Sequence, residues 1–163
     1  MAETDKHEHL YDLVKDIKTA MLVTRGQNGS LHARPMSVAD LKRDADAYFA
    51  TSLDSPKIAE IEADPRAMIT FQDGSQFAVI TGKAHMVRDR AMIDKLWSEA
   101  WRVWFPEGKN DPSLCLIKLE AEEAEYWDTA GTRGLKYLFE GVKAVLQGTT
   151  PNTDEDQHAK VRL

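Results

Sequence analysis

Ala20-Met21-Leu22-Val23-Thr24-Arg25-Gly26-Gln27-Asn28-Gly29-Ser30-Leu31-His32-Ala33-Arg34-Pro35-Met36-Ser37-Val38 sets two apolar segments on either side of an Asn-Gly pair. Asn-Gly is a strong short-range hairpin signal, because both residues tolerate positive φ. The run therefore predicts a strand over Ala20 to Thr24, a tight turn, and a returning strand over Ser30 to Val38. Strands joined by so short a turn are antiparallel, since a parallel pair needs a crossover of a dozen residues or more. A doubly wound parallel sheet is thereby disfavoured. Pro35 has no N–H for a ladder, so the returning strand is irregular or at an edge there. Such a break either exposes Arg34 and Met36 to a ligand or marks a simple bulge.

The flanking sequence extends this pattern. Leu10, Leu13, Val14 and Ile17 fall at helical spacing and predict a first helix over His9 to Ile17. A third strand is expected over Ala47 to Thr51, then a short helix from Pro56 to Ala63 stopped by Asp64-Pro65. Ala67 to Phe71 and Phe77 to Val87 read as strands joined around Asp73-Gly74. Arg90 to Phe105 reads as a helix ended by Pro106 and Gly108. Ser113 to Ala121 is a sixth strand, which Glu125-Tyr126-Trp127 continues or follows. Leu135, Leu138, Phe139, Val142 and Val145 outline a last amphipathic helix. Six short strands with helices set between hairpins give an α+β class built on an antiparallel barrel. Residues 1–148 make one domain, and 149–163 read as a polar, disordered and dispensable tail.

At 163 residues and 42% hydrophobic composition, the chain suits one domain with a real core. No apolar run approaches the ~20 residues of a membrane span. Met1-Ala2-Glu3-Thr4-Asp5-Lys6 lacks the basic-then-apolar design of a signal peptide, so the expected location is cytoplasmic. A net charge of −6 argues against broad nucleic-acid binding. The single cysteine, Cys115, lies in an apolar strand and reads as an inert core thiol. No metal-ligand spacing, Rossmann glycine fingerprint or nucleophile elbow is present.

Arg34-Pro35-Met36, Tyr48-Phe49-Ala50-Thr51 and Ser55-Pro56-Lys57 together point to a phosphate. Phe49-Ala50-Thr51 ends a strand. Ser55-Pro56 opens a helix, with serine at the N-cap and proline at the first helical position. A helix N-terminus offers free N–H groups and partial positive charge to an anion. Thr51 and Ser55 add hydroxyl donors, and Lys57 and Arg34 add charge. The alternative is that Ser55 only caps the helix and Lys57 is solvated. Trp97, Trp101 and Trp104, spaced i, i+4, i+7, would share one helical face. That face reads as core packing, as a flat wall against a ring system, or as an anchor at a dimer interface. His32 lies two residues before Arg34, on the same strand face, and reads as a partly exposed strand histidine.

Arg34-Pro35-Met36, the Phe-x-Thr strand end and the Ser-x-Lys pair resemble the flavin-binding split barrel of the pyridoxamine 5′-phosphate oxidase superfamily. Trp104-Phe105-Pro106-Glu107-Gly108-Lys109-Asn110-Asp111-Pro112 and Ala124-Glu125-Tyr126-Trp127-Asp128 are similar to its bacterial general stress protein branch. The resemblance implies a six-stranded antiparallel split β-barrel with peripheral helices, holding FMN, with FAD possible. It implies a homodimer with shared flavin sites. Arg34, Thr51, Ser55 and Lys57 would hold the ribityl phosphate. Pro35, Met36, Phe49 and Ala50 would line the ring or ribityl chain, and Trp101, Trp104 and Phe105 would close the partner's site. The C-terminal Arg-His substrate motif of the true oxidases is not evident, His158 and Arg162 lying in the polar tail. Two functions stay open: a flavin-dependent oxidoreductase on an unidentified small substrate, or a non-catalytic flavin carrier, sensor or store in a stress response.

Overall fold

The computed structural model describes residues 2–130, 142–148, 150 and 157–163. The elements run α1 (Glu3–Val14), β1 (Thr19–Arg25), β2 (Leu31–Leu41), β3 (Ala47–Ser52), α2 (Pro56–Ala63), β4 (Arg66–Asp73), β5 (Gln76–Val87) and α3 (Arg90–Leu96). Two short 3-10 turns, Glu99–Val103 and Gly108–Asn110, lead to β6 (Leu114–Asp128) and β7 (His158–Arg162). The strand order is β3-β2-β1-β4-β5-β6-β7, and a further β3–β6 pairing closes the first six into an antiparallel barrel. The expected α+β split barrel is what the chain forms.

The Asn28-Gly29 turn starts it. Gly29 has φ 81°, and the Gly26 N–H donates to Ser30 O at 2.7 Å. Inward residues of every barrel strand, among them Leu22, Phe49, Ile69, Ile80, Ile117 and Tyr126, merge into one core, which α1 and α2 cover with Leu10, Val14, Ile58 and Ile61. A second cluster, Tyr48, Ile93, Trp101, Phe105, Leu114 and Leu116, packs outside the barrel wall. At Gly82 the β5–β6 register shifts, and a Cβ there would lie 1.9 Å from Glu120 O. Gly82→Ala is expected to cost about 1–3 kcal/mol, read by denaturant unfolding. An unchanged midpoint would mean that the bulge relaxes freely.

Four sequence expectations need correction or qualification. The first helix lies earlier than His9 to Ile17, with Glu3 and Asp5 suiting its N-terminal turn. The helix expected over Arg90 to Phe105 breaks at Trp97, which has ψ 133°, and Ser98 caps a separate 3-10 turn. Glu125-Tyr126-Trp127 belongs to one 15-residue β6. The tail is not simply a disordered extension: β7 pairs with β6 from Glu123↔Arg162 to Trp127↔His158 and buries Ala159 and Val161. Of the last amphipathic helix, residues 131–141 lie outside the described residues, while 142–147 are helical.

Candidate functional site

The barrel is split between β2 and β3. These strands pair only from Val38↔Phe49 to Leu41↔Ala47. Below that point β2 keeps its ladder to β1 through Arg25↔Leu31, and β3 keeps its ladder to β6 through Ser52↔Leu114. The facing edges are not paired to each other, so Pro35 sits where β2 is an edge and withholds no donor from a ladder there. A cavity of about 440 Å3 occupies this split. Pro35, Met36 and Ser37 form one wall, Ala50, Thr51 and Ser52 the other. Ser55 and Lys57 stand at one end, and Trp101, Trp104 and Phe105 complete the lining.

Among the described residues, Lys57 is the only ionisable side chain in that lining. Its ammonium donates to Thr51 Oγ1 at 3.0 Å and Ser55 Oγ at 2.6 Å. Among the described residues it makes no ion pair with a carboxylate. Burial, then the nearby Arg34 charge, pulls its pKa below the ordinary lysine range. A bound anion would relieve both penalties. Because each hydroxyl accepts from Lys57, its own proton remains to donate. A third ammonium N–H and two hydroxyl protons are then available at the mouth of α2. Ser55 holds the N-cap position in extended conformation but makes no side-chain capping bond, so capping alone does not account for it.

Two expected site residues lie elsewhere. Phe49 is fully buried and points into the barrel core, since alternation along β3 sends Ala50 to the other face. Arg34 also points inward from β2. Its Nη1 donates to Thr24 Oγ1 at 2.6 Å and its Nη2 to Glu60 Oε2 at 3.1 Å. Trp97, Trp101 and Trp104 do not share a helical face, because α3 ends at Leu96 and a separate 3-10 turn carries Trp101. Trp101 is 6% exposed and meets Trp97 edge-on at 5.7 Å, whereas Trp104 is 69% exposed at the cavity rim.

The sequence reading missed Ser37 and Ser52 in the lining. It also missed the polar cluster of Thr24, His32, Arg34 and Glu60 beneath α2. The usable signal was Glu60, one turn after Lys57 and therefore near the same face of the helix. Glu60 is 8% exposed and accepts from Thr24 Oγ1, from His32 Nδ1 at 2.6 Å and from Arg34. Burial alone would raise its carboxyl. The hydrogen bonds from Thr24, His32 and Arg34, with the Arg34 charge, outweigh burial and hold it down at about 2. A depressed carboxylate stabilises the fold fully above its ordinary value of 4.5, and that contribution is lost as pH falls through about 2. Asp64, held at about 2 by Arg66, acts over the same window. Glu60→Gln is thus expected to flatten the fall in Tm between about pH 5 and 2. Parallel wild-type and variant curves would show that the cluster does not keep Glu60 ionised.

A second concavity, about 410 Å3, lies over β5, β6 and β7. Its lining mixes Glu3, Glu123 and Glu125 with Lys160 and Arg162, and it has no aromatic wall. The cavity in the split, with its isolated cation and apolar walls, is the better ligand site. Among the described residues, no group of three metal-ligating side chains occurs and no helix is long and apolar enough to cross a membrane.

An antiparallel barrel opened between two strands, with a lysine-tipped, aromatic-walled cavity in the opening, defines a split-barrel protein. The chain matches the model of the family described as pyridoxamine 5′-phosphate oxidase like over residues 5–152, and it belongs to that family. It is 29% identical over 128 residues to General stress protein 26 of Bacillus subtilis (strain 168), across 76% of this chain and 89% of that protein. The crystal structure of a general stress protein 26 from Jannaschia sp. CCS1 is 28% identical, with a TM-score of 0.73, covering 99% of this chain and 100% of that one. The general stress FMN/FAD binding protein of Xanthomonas citri is 33% identical, with a TM-score of 0.65, covering 76% of this chain and 88% of that one.

Proposed function

We propose that this protein is an FMN-binding general stress protein whose flavin lies in the split between β2 and β3. The observation that carries this reading is Lys57: a partly buried ammonium with two hydroxyl partners and, among the described residues, no carboxylate partner, at the end of a cavity of about 440 Å3. That donor set fits a phosphomonoester. The remaining walls fit a flat ring, with Met36 and Ala50 on the barrel side and Trp101, Trp104 and Phe105 opposite. Arg34, paired with Glu60, stands behind the site without lining it, and Pro35 shapes its edge. FAD is the second candidate, since the cavity is open at its Trp104 rim.

When bound, the flavin would supply electron transfer, with the protein contributing binding and orientation. Among the described residues that line the cavity Lys57 is the only titratable one, so they offer no separate acid–base pair there. We favour a flavin-dependent oxidoreductase acting on a small substrate at the Trp104 rim; a non-catalytic flavin carrier, sensor or store has the same binding site. Purified protein should show a flavin absorption spectrum, bleached by anaerobic addition of a reduced nicotinamide if it is an oxidoreductase. A spectrum that no nicotinamide changes would favour the carrier, and failure to bind any flavin would sink both.

We also infer a homodimer. Met21 and Phe77 are large apolar residues exposed on the outer face of the sheet. Met21 lies opposite Pro35, so this face runs into the cavity. Val103 and Trp104 are exposed beside it. A second copy over this surface would bury the apolar face and cover the cavity. Sedimentation as a monomer at micromolar concentration, with flavin present, would count against it.

A further inference from the structure

Arg34 and Lys57 lie close enough for the arginine charge to depress the lysine, yet only Lys57 lines the cavity. The difference lies in Glu60. Its Oε2 accepts from both Arg34 and Thr24, while its Oε1 accepts from His32. Lys57 and Glu60 stand one turn apart on α2, a spacing that favours an ion pair. No such pair forms, and the carboxylate turns to Arg34 instead. The charges behind the cavity therefore largely cancel, and one cation is left facing it.

We propose that Glu60 is the specificity-determining residue of the phosphate end of this site: by pairing with Arg34 it limits the site to the single uncompensated charge of Lys57. This rests on the flavin reading above and deepens it. An opposite charge held next to Arg34 weakens the attraction of that guanidinium for a dianionic phosphate. It matters much less to a ligand without one. Glu60 thus sets how strongly the cavity prefers a phosphorylated ligand over its unphosphorylated counterpart. Arg34 in turn keeps Glu60 from Lys57: with Arg34 removed, the buried Glu60 retains only His32 and Thr24 as partners and is free to take Lys57, one turn away, as another.

The test is the ratio of FMN to riboflavin affinity in wild type, Arg34→Ala, Glu60→Gln and an Arg34→Gln/Glu60→Gln double variant. Glu60→Gln should raise the ratio about five- to tenfold, and Arg34→Ala should lower it by at least as much. The double variant loses one charge of each sign and should return close to wild type. It leaves no unpaired buried charge, so it remains informative if Glu60→Gln alone does not fold. A double variant as poor as Arg34→Ala would mean that Arg34 itself grips the phosphate, and would overturn the proposal. A selective loss of FMN in Glu60→Gln would overturn it too, as would equal changes for both flavins. If wild type shows no preference for FMN, the flavin reading fails separately. The thermal shift produced by inorganic phosphate then decides the charge argument. The shift should be larger in Glu60→Gln than in wild type and smaller in Arg34→Ala; any other order overturns it.

Discussion

Lys57→Ala is expected to weaken FMN binding about ten- to a hundredfold while leaving riboflavin affinity nearly unchanged. A charge-assisted hydrogen bond is typically worth about 1.5–3 kcal/mol, and about 1.4 kcal/mol is a factor of ten. Thr51 and Ser55 would keep their hydroxyls but lose the cation that orients them, so they cannot compensate. Riboflavin has the same ring and ribityl chain without the phosphate, which isolates the phosphate term. A control comes from stability. The Lys57 ammonium is partly desolvated and lies near Arg34, so it does not stabilise the empty fold. Lys57→Met, which keeps the apolar stem, should therefore leave Tm unchanged or slightly raised while binding falls. Equal losses for the two flavins, or a large drop in Tm, would place the phosphate elsewhere and make Lys57 a structural residue.

Deleting residues 157–163 is expected to lower Tm by about 10–20 °C. β7 adds five residues to the exposed edge of β6 and buries Val161 and Ala159. Full burial of a valine contributes about 1.5–3 kcal/mol, and each net ladder bond about 0.5–1.5 kcal/mol. Together these come to about 4–6 kcal/mol, a large share of the 5–15 kcal/mol typical of a domain. The strand also ties down α1. His7 Nε2 is hydrogen-bonded to Arg162 O at 2.7 Å, and the Arg162 N–H donates to Glu3 Oε1 at 3.1 Å. At a temperature where the shortened protein is still folded, FMN affinity should be almost unaffected, because the split lies between β2 and β3. A truncated protein with wild-type Tm would show that β7 contributes no net stability.

Local sequence signals determined much of this protein. Asn28-Gly29 made the first strand pair antiparallel, and Ser55-Pro56 marked the start of α2, whose bounds follow from Pro56 and Asp64-Pro65. The Arg34-Pro35-Met36, Phe-x-Thr and Ser-x-Lys segments marked the family, and Pro35 marked the edge of β2. These signals are legible because turn chemistry, capping and strand alternation act over a few residues. Other features were settled only by tertiary structure. β7 has just Ala159 and Val161 to bury, too little to predict a strand until the free edge of β6 supplies its partner. Phe49 and Ala50 are both apolar neighbours on β3, and the barrel's inside and outside separate them only after it closes. Trp97, Trp101 and Trp104 have helical spacing, yet packing of Trp101 and Phe105 against Tyr48 and Leu116 accompanies a break at Trp97. Arg34 and Lys57 look equivalent as cations in the sequence. Glu60, brought by α2 beneath the barrel end, neutralises one and leaves the other facing the cavity, because an ion pair depends on where folding places a carboxylate.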